Sequence, residues 1–278
     1  LQWRRCCGRR SKQATVLRTA RRSSRPSFSL EPLRRTFPDG KGQHIAVNDA
    51  HFVINENEIV AIVGESGSGK SVTALSIMGL NDPKAIVTGE ILLTDKNSYS
   101  INTSHFSAKQ YEKIRGKTVA MIFQEPMTSL NPLMTCGEQV IETIMLHEKI
   151  NRKKAREKTL SLFKKVSLPT PEIILKKYPH ELSGGQKQRV MIAIAISCNP
   201  QLLIADEPTT ALDVTVQKSI IDLIKTLQLQ HKMSVLFISH DLGLVADIAD
   251  KIIVMYKGNI VEYGNCNDVL NHPKHIYT

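Results

Sequence analysis

Short apolar runs alternate with longer stretches of helical spacing along most of this chain. Ala46 to Ile54 alternates apolar and polar residues, as a strand with one buried face does. Glu58-Ile59-Val60-Ala61-Ile62-Val63 is apolar without interruption after its first residue, as are residues 201–205 and 234–238 after theirs. Runs of that kind are strands buried on both faces. Glu90–Leu93 and Lys117–Phe123 add two further β segments. Helical spacing appears over Ser71–Leu80, ended by Asn81-Asp82-Pro83, and again at about 214–229 and 241–249. A Lys- and Glu-rich stretch from Gly137 to about Lys177 also has helical spacing and contains no strand signal. Residues 251–256 and 259–263 flank Lys257-Gly258-Asn259 and predict a closing hairpin. Strands alternating with helices predict a parallel α/β core. The Lys/Glu-rich stretch predicts a helical insert at about 130–185.

Composition changes this picture at one end. Residues 1–35 carry ten Arg, one Lys and one Glu, so they hold +10 of the net +11 and the remaining residues hold +1. A nucleic-acid reading based on overall charge rests on that segment alone. Three readings of it stay open. It is a basic targeting segment, a solvated polybasic arm for anionic lipid or RNA, or a translation artefact at the edge of an incomplete reading frame. The abrupt switch from Arg to Lys and the non-Met first residue favour the third. Residues 1–35 are therefore set apart as a basic, disordered or artefactual tail, and the domain is taken as 36–278, truncated at its far end.

Hydrophobic residues make up 41% of the chain, enough for a core. No apolar run approaches the roughly 18 residues that span a bilayer. Cys6, Cys7, Cys136, Cys198 and Cys266 show no Cys-x-x-Cys spacing. Neither a disulfide framework nor a zinc site is indicated, and a reducing cytosol is the default.

The strongest chemical signal follows the run ending at Val63. Gly64-Glu65-Ser66-Gly67-Ser68-Gly69-Lys70-Ser71 is a glycine-rich turn between a strand and a helix. Backbone N–H groups can curl around phosphate oxygens there without a side chain in the way. Lys70 can reach the outer phosphates and Ser71 can hold Mg²⁺. The following helix adds its positive N-terminal dipole. Some 135 residues on, an apolar strand ends in Asp206-Glu207-Pro208. An acid at that strand tip serves Mg²⁺, and the next one can polarise an attacking water. The plainer alternative is a strand-terminal turn, where Asp and Pro are common. Leu182-Ser183-Gly184-Gly185-Gln186 opens another helix, with Ser183 as cap and two glycines baring N–H groups to an anion. A simple cap is the alternative there, and a neutral histidine at a strand end is the alternative for His240. Two phosphate-seeking helix ends in one chain exceed what one γ-phosphate needs.

Together these segments, with Gln124, Ala211-Leu212-Asp213 and Ser239-His240-Asp241, resemble the nucleotide-binding subunit of ABC transporters over residues 37–278. Residues 124–132 (Gln-Glu-Pro-Met-Thr-Ser-Leu-Asn-Pro), 207–217 and the closing His272-Pro273-Lys274-His275-Ile276-Tyr277-Thr278 resemble the peptide/nickel importer group. His272 and His275 invite a metal reading, which the closing motif explains better. The segment before Phe37 should be an opening strand in this family, but here it is Arg-rich. Relatives continue for some tens of residues past the position of Thr278.

The resemblance implies an α/β fold with a mostly parallel sheet, an antiparallel β subdomain and an inserted helical subdomain. It implies that ATP and Mg²⁺ are bound and that two cassettes pair head to tail. Each ATP would lie between Gly64–Val72 of one copy (Gly64, Glu65, Ser66, Gly67, Ser68, Gly69, Lys70, Ser71, Val72) and Ser183, Gly184, Gly185 and Gln186 of the other. Phe37 would stack on adenine. Ser71, Gln124 and Asp206 would serve the metal, Glu207 would be the base, His240 and Gln124 would position γ-phosphate and water, and Asp213 would link the two sites. Implied partners are a second ATP-binding subunit, identical or different, integral membrane permease subunits facing the segment after Gln124, and indirectly a solute-binding protein. Half of a fused double cassette is also compatible. The implied location is the cytoplasmic face of the bacterial inner membrane. The favoured function is powering import of di- or oligopeptides, with nickel or another small solute as alternative. A non-transport ATPase acting on nucleic acid or ribosomes is disfavoured: only 59 residues separate Gln124 from Ser183, and the body is nearly neutral.

Overall fold

A computed structural model describes residues 26–39, 42–80, 82, 84–94, 100–124, 129–210 and 212–278. The chain opens with two long antiparallel strands, β1 (Pro26–Asp39) and β2 (Gly42–Asn55), followed by β3 (Ile59–Val63) and α1 (Lys70–Ile77). Short β4 (Ile86–Thr88), β5 (Ile91–Thr94) and β6 (Ser100–Asn102) lead to α2 (Ala108–Ile114) and β7 (Val119–Ile122). Three helices then run without a strand between them: α3 (Cys136–His147), α4 (Arg152–Lys165) and α5 (Pro171–Ile174). The remainder is α6 (Gly184–Ile196), β8 (Leu202–Asp206), α7 (Val214–His231), β9 (Ser234–Ile238), α8 (Leu242–Ile248), β10 (Lys251–Tyr256), β11 (Asn259–Asn265) and α9 (Cys266–Asn271).

Two sheets result. The central one has the order β11-β10-β3-β9-β8-β7. All its neighbours pair in parallel except the β10–β11 hairpin. The second is antiparallel, with the path β2-β1-β5-β6 and β4 beside β1. The alternation of β3 explains the layering. Its Ile59, Ala61 and Val63 face a core shared with the helical insert and α6 and α7. Val60 and Ile62 face the other way, into a core shared with α1 and the antiparallel sheet. Covered on both faces, β3, β8 and β9 are buried at every position, as their uninterrupted apolar sequence requires.

The structure corrects the N-terminal boundary. Residues 26–35, assigned above to the tail, form the first part of β1 and are not disordered. Phe28, Leu30 and Leu33 have no solvent exposure. Irregular pairing with β2 between Leu30 and Leu33, and between Leu33 and Arg35, keeps these side chains inward. Each is worth about 1.5–3 kcal/mol of burial. Arg35 is only 2% exposed. Its Nη1 donates to Val72 O at 3.1 Å and to Ser76 Oγ at 2.8 Å, both on α1. Burial lowers its proton affinity, partly offset by Asp82. The guanidinium is therefore a strut between the antiparallel sheet and α1. Residues 1–25 of the expected tail lie outside the described residues, as do Cys6 and Cys7, residues 125–128 of the segment after Gln124, and Ala211. Cys136, Cys198 and Cys266 are buried free thiols.

Candidate active site

Four segments leave the carboxyl ends of adjacent parallel strands, where α/β sheets place their sites. The glycine-rich turn follows β3, Gln124 follows β7, Glu207 follows β8 and His240 follows β9. Gly64 has φ 151°, and a Cβ there would lie 2.1 Å from the Met255 carbonyl oxygen on β10. Glycine is needed both for the angle and for the close approach. Glu65, Ser66 and Gly67 are exposed, whereas Ser68, Gly69 and Lys70 are buried. Ser68 Oγ is buried without a hydrogen-bond partner. Lys70 Nζ donates to the carbonyls of Gly64 at 2.8 Å and Glu65 at 2.9 Å. Burial lowers its proton affinity, opposed by Glu207 and Asp206.

The acidic pair diverges because β8 ends between its members. Asp206 is the last strand residue, and Glu207 takes φ 45°, a left-handed conformation that non-glycine residues adopt at a cost. Its N–H is held by Ile238 O at 3.0 Å. Asp206 Oδ1 accepts from Ser71 Oγ at 3.1 Å. Burial raises the Asp206 carboxyl pKa and the Glu207 charge adds to this, while the Ser71 hydrogen bond and Lys70 oppose it. Glu207 is turned to a different set of neighbours. Its Oε2 accepts from Gln124 Nε2 at 3.0 Å and from Thr210 Oγ1 at 3.1 Å. His240 Nδ1 lies 3.3 Å from Oε1. Three side chains thus orient one carboxylate at the mouth of the sheet. Thr210 was given no role by the sequence, although Thr209-Thr210 stands directly behind Asp206-Glu207-Pro208.

Ser183 to Gln186 and Asp213 form a separate place. Ser183 caps α6 through its hydroxyl, and Gln186 reaches back to the Ser183 N–H at 3.2 Å. Asp213 caps α7, accepting from Val216 N at 2.9 Å. A Cβ on Gly185 would meet Val216 Cγ1 at 2.9 Å, so the two helix starts abut. A cavity of about 340 Å³ opens between them, lined by Ser183, Gly184, Gly185, Gln186, Arg189 and Asp213 among others. None of its lining residues belongs to the phosphate-type loop or to the cleft around Glu207 and His240. Within one chain the Ser183–Gln186 helix end is thus lined apart from the glycine-rich loop.

Phe37 is half-buried on β1 opposite His44, and the Arg35 guanidinium carbon lies 5.1 Å from its ring centroid. Val72 is half-buried on α1, beside the Arg35 strut.

Residues 47–210 match the family profile described as ABC transporter. This chain belongs to the ABC transporter family. Among its relatives is the oligopeptide transport ATP-binding protein AppD of Bacillus subtilis (strain 168), 52% identical over 84% of this chain and 70% of that protein. The glutathione import ATP-binding protein GsiA of Salmonella choleraesuis (strain SC-B67) is 48% identical over 92% of this chain. The chain spans 41% of the length of that relative. Among solved structures, the dimeric post-hydrolysis state of the ATP-binding cassette MJ0796 bound to ADP and Pi aligns with a TM-score of 0.74. It is 30% identical and covers 86% of this chain and 98% of that one. The ABC-type fold, with its mostly parallel sheet, antiparallel β layer and helical insert, is therefore as the sequence led one to expect. No helix among the described residues is long and apolar enough to cross a membrane.

Proposed function

We propose that this ABC cassette binds and hydrolyses ATP as one half of a pair and thereby energises import of di- or oligopeptides. The observation that carries the pairing is that the cavity at the Ser183–Gln186 helix end takes no residue from the glycine-rich loop or from the cleft around Glu207 and His240. A second cassette, identical or a sister chain, would bring its Ser183–Gln186 helix end to the phosphate loop of the first. The dimeric cassette to which the fold is similar supports this arrangement. The similarity to the oligopeptide transport protein AppD and the glutathione import protein GsiA supports import, and of a peptide-like solute.

The residues fit Mg²⁺. Ser71 Oγ and the Asp206 carboxylate are hard oxygen donors in contact. Asp206 is buried, so a cation there would offset the cost of burying its charge, and Ser68 Oγ of the same loop is buried without a hydrogen-bond partner. Ser71 and Asp206 would hold the ion, with Gln124 alongside. Bound there, Mg²⁺ would neutralise charge on the phosphates. The chain's own residues do the rest. The loop N–H groups cradle the phosphates, Lys70 leaves its two carbonyls for them, and Glu207 accepts the proton of the attacking water. Gln124, Thr210 and His240 keep that carboxylate aimed.

The apolar side chains Leu133 and Leu146, 86% and 77% exposed, stand on or beside the helical insert. Exposed apolar side chains there support docking against permease subunits, which would hold the cassette at the cytoplasmic face of the bacterial inner membrane. A solute-binding protein would act through those permeases. The near-neutral body gives nucleic acid no electrostatic footprint.

Turnover per chain should rise with protein concentration until dimerisation is complete. Full-rate hydrolysis by a preparation that stays monomeric in the presence of ATP would remove the paired-site reading. Replacing Phe37 by Ala should raise the KM for ATP about three- to tenfold, the scale of one aromatic contact, with kcat nearly unchanged. An unaltered KM in ATP titrations would take Phe37 out of base binding.

A further inference from the structure

The phosphate loop is held from outside as well as from within. The Glu65 N–H donates to Tyr277 Oη at 3.0 Å, across 212 positions of sequence. The peptide group that carries this N–H also carries the Gly64 carbonyl, which accepts from Lys70 Nζ at 2.8 Å. One peptide plane is therefore gripped at both ends by different side chains. Gly64, at φ 151°, offers little torsional resistance to a flip of that plane. Such a flip would reverse the dipole at the entrance of the phosphate cradle.

Tyr277 is well fixed for this task. Its ring centroid lies 4.3 Å from that of Tyr256, at the end of β10. β10 is also the strand whose Met255 carbonyl closes against Gly64. The segment carrying Tyr277 is tied to β11, where the Glu262 carboxylate accepts the N–H of Lys274 at 2.9 Å and of His275 at 3.2 Å. His275 Nδ1 in turn accepts the Tyr277 N–H at 3.1 Å. Three backbone donors are thus satisfied in a way that aims one phenol at one loop amide.

We propose that Tyr277 is a positioning residue for ATP binding, its hydroxyl locking the Gly64–Glu65 peptide in the phosphate-receiving orientation. Lys70 must release the Gly64 carbonyl to reach phosphate, and at that moment Tyr277 is the remaining hold on the peptide plane. The proposal rests on the loop being the nucleotide site, as argued above.

Tyr277→Phe tests it, since it removes the oxygen and keeps the ring against Tyr256. The KM for ATP should rise about three- to tenfold, the scale of one net hydrogen bond, with kcat changed less than about twofold. Hydrogen exchange at the Glu65 amide should quicken in the nucleotide-free protein, while the melting temperature stays at the wild-type value. A wild-type KM or a wild-type exchange rate at Glu65 overturns the proposal. Lys70→Ala, measured in parallel, separates the two levels. If it leaves ATP binding untouched, the loop assignment itself fails; if it impairs binding while Tyr277→Phe does not, only the role of Tyr277 fails.

Discussion

Glu207→Gln is expected to lower ATP turnover by about 10²-fold or more, the usual contribution of a positioned general base, while ATP still binds. The local geometry makes this substitution unusually clean. Glutamine has the same shape, and its carbonyl oxygen can still accept from Gln124 and Thr210, which now donate to Oε2 at 3.0 and 3.1 Å. Its amide group can face His240 Nδ1, now 3.3 Å from Oε1. The left-handed backbone at residue 207 is no worse for glutamine than for glutamate. Only the capacity to accept a proton is lost. With hydrolysis stalled and binding intact, the ATP-bound pair should accumulate, visible as a dimer in size-exclusion chromatography with light scattering. Near-normal phosphate release by this variant would strip Glu207 of its role as base.

Lys70→Ala should act earlier, at binding and on the charge that develops on the phosphates. Lys70 is 6% exposed, and its ammonium donates to the two carbonyls of Gly64 and Glu65. Burial already disfavours its charge, so an anionic phosphate is a better partner than two neutral carbonyls. Its loss should weaken ATP binding about tenfold or more and reduce kcat by about 10²–10³, the range for removing one preorganised cation or donor. Because a desolvated cation is also removed, the melting temperature should fall by no more than a few degrees. Fluorescent-nucleotide titration and steady-state phosphate release provide the check. Wild-type values in both would refute the phosphate-loop assignment.

The parts of this molecule legible in sequence share a property: their information is local. β3, β8 and β9 fall within about one residue of their apolar runs because a strand covered on both faces needs every position apolar. The glycine-rich loop is legible because its pattern lies within eight consecutive residues. The strand β1 was missed for the opposite reason. Arg34 and Arg35 read as tail, and nothing nearby in sequence says that Arg35 will find Val72 O and Ser76 Oγ. The short strands β4 and β6, three residues each, leave too few positions for a period to register. Thr210 and Tyr277 are hydroxyls whose meaning lies in where they point.

By itself, then, the sequence determined the family, the parallel core and the residues of the candidate site, because contiguous motifs encode those. Only the tertiary structure decided that β1 begins ten residues earlier, that Glu207 is oriented by three neighbours, and that the cavity at the Ser183–Gln186 helix end takes no residue from the glycine-rich loop. Each of these depends on distances between groups far apart in the chain, which packing sets and local residue order does not.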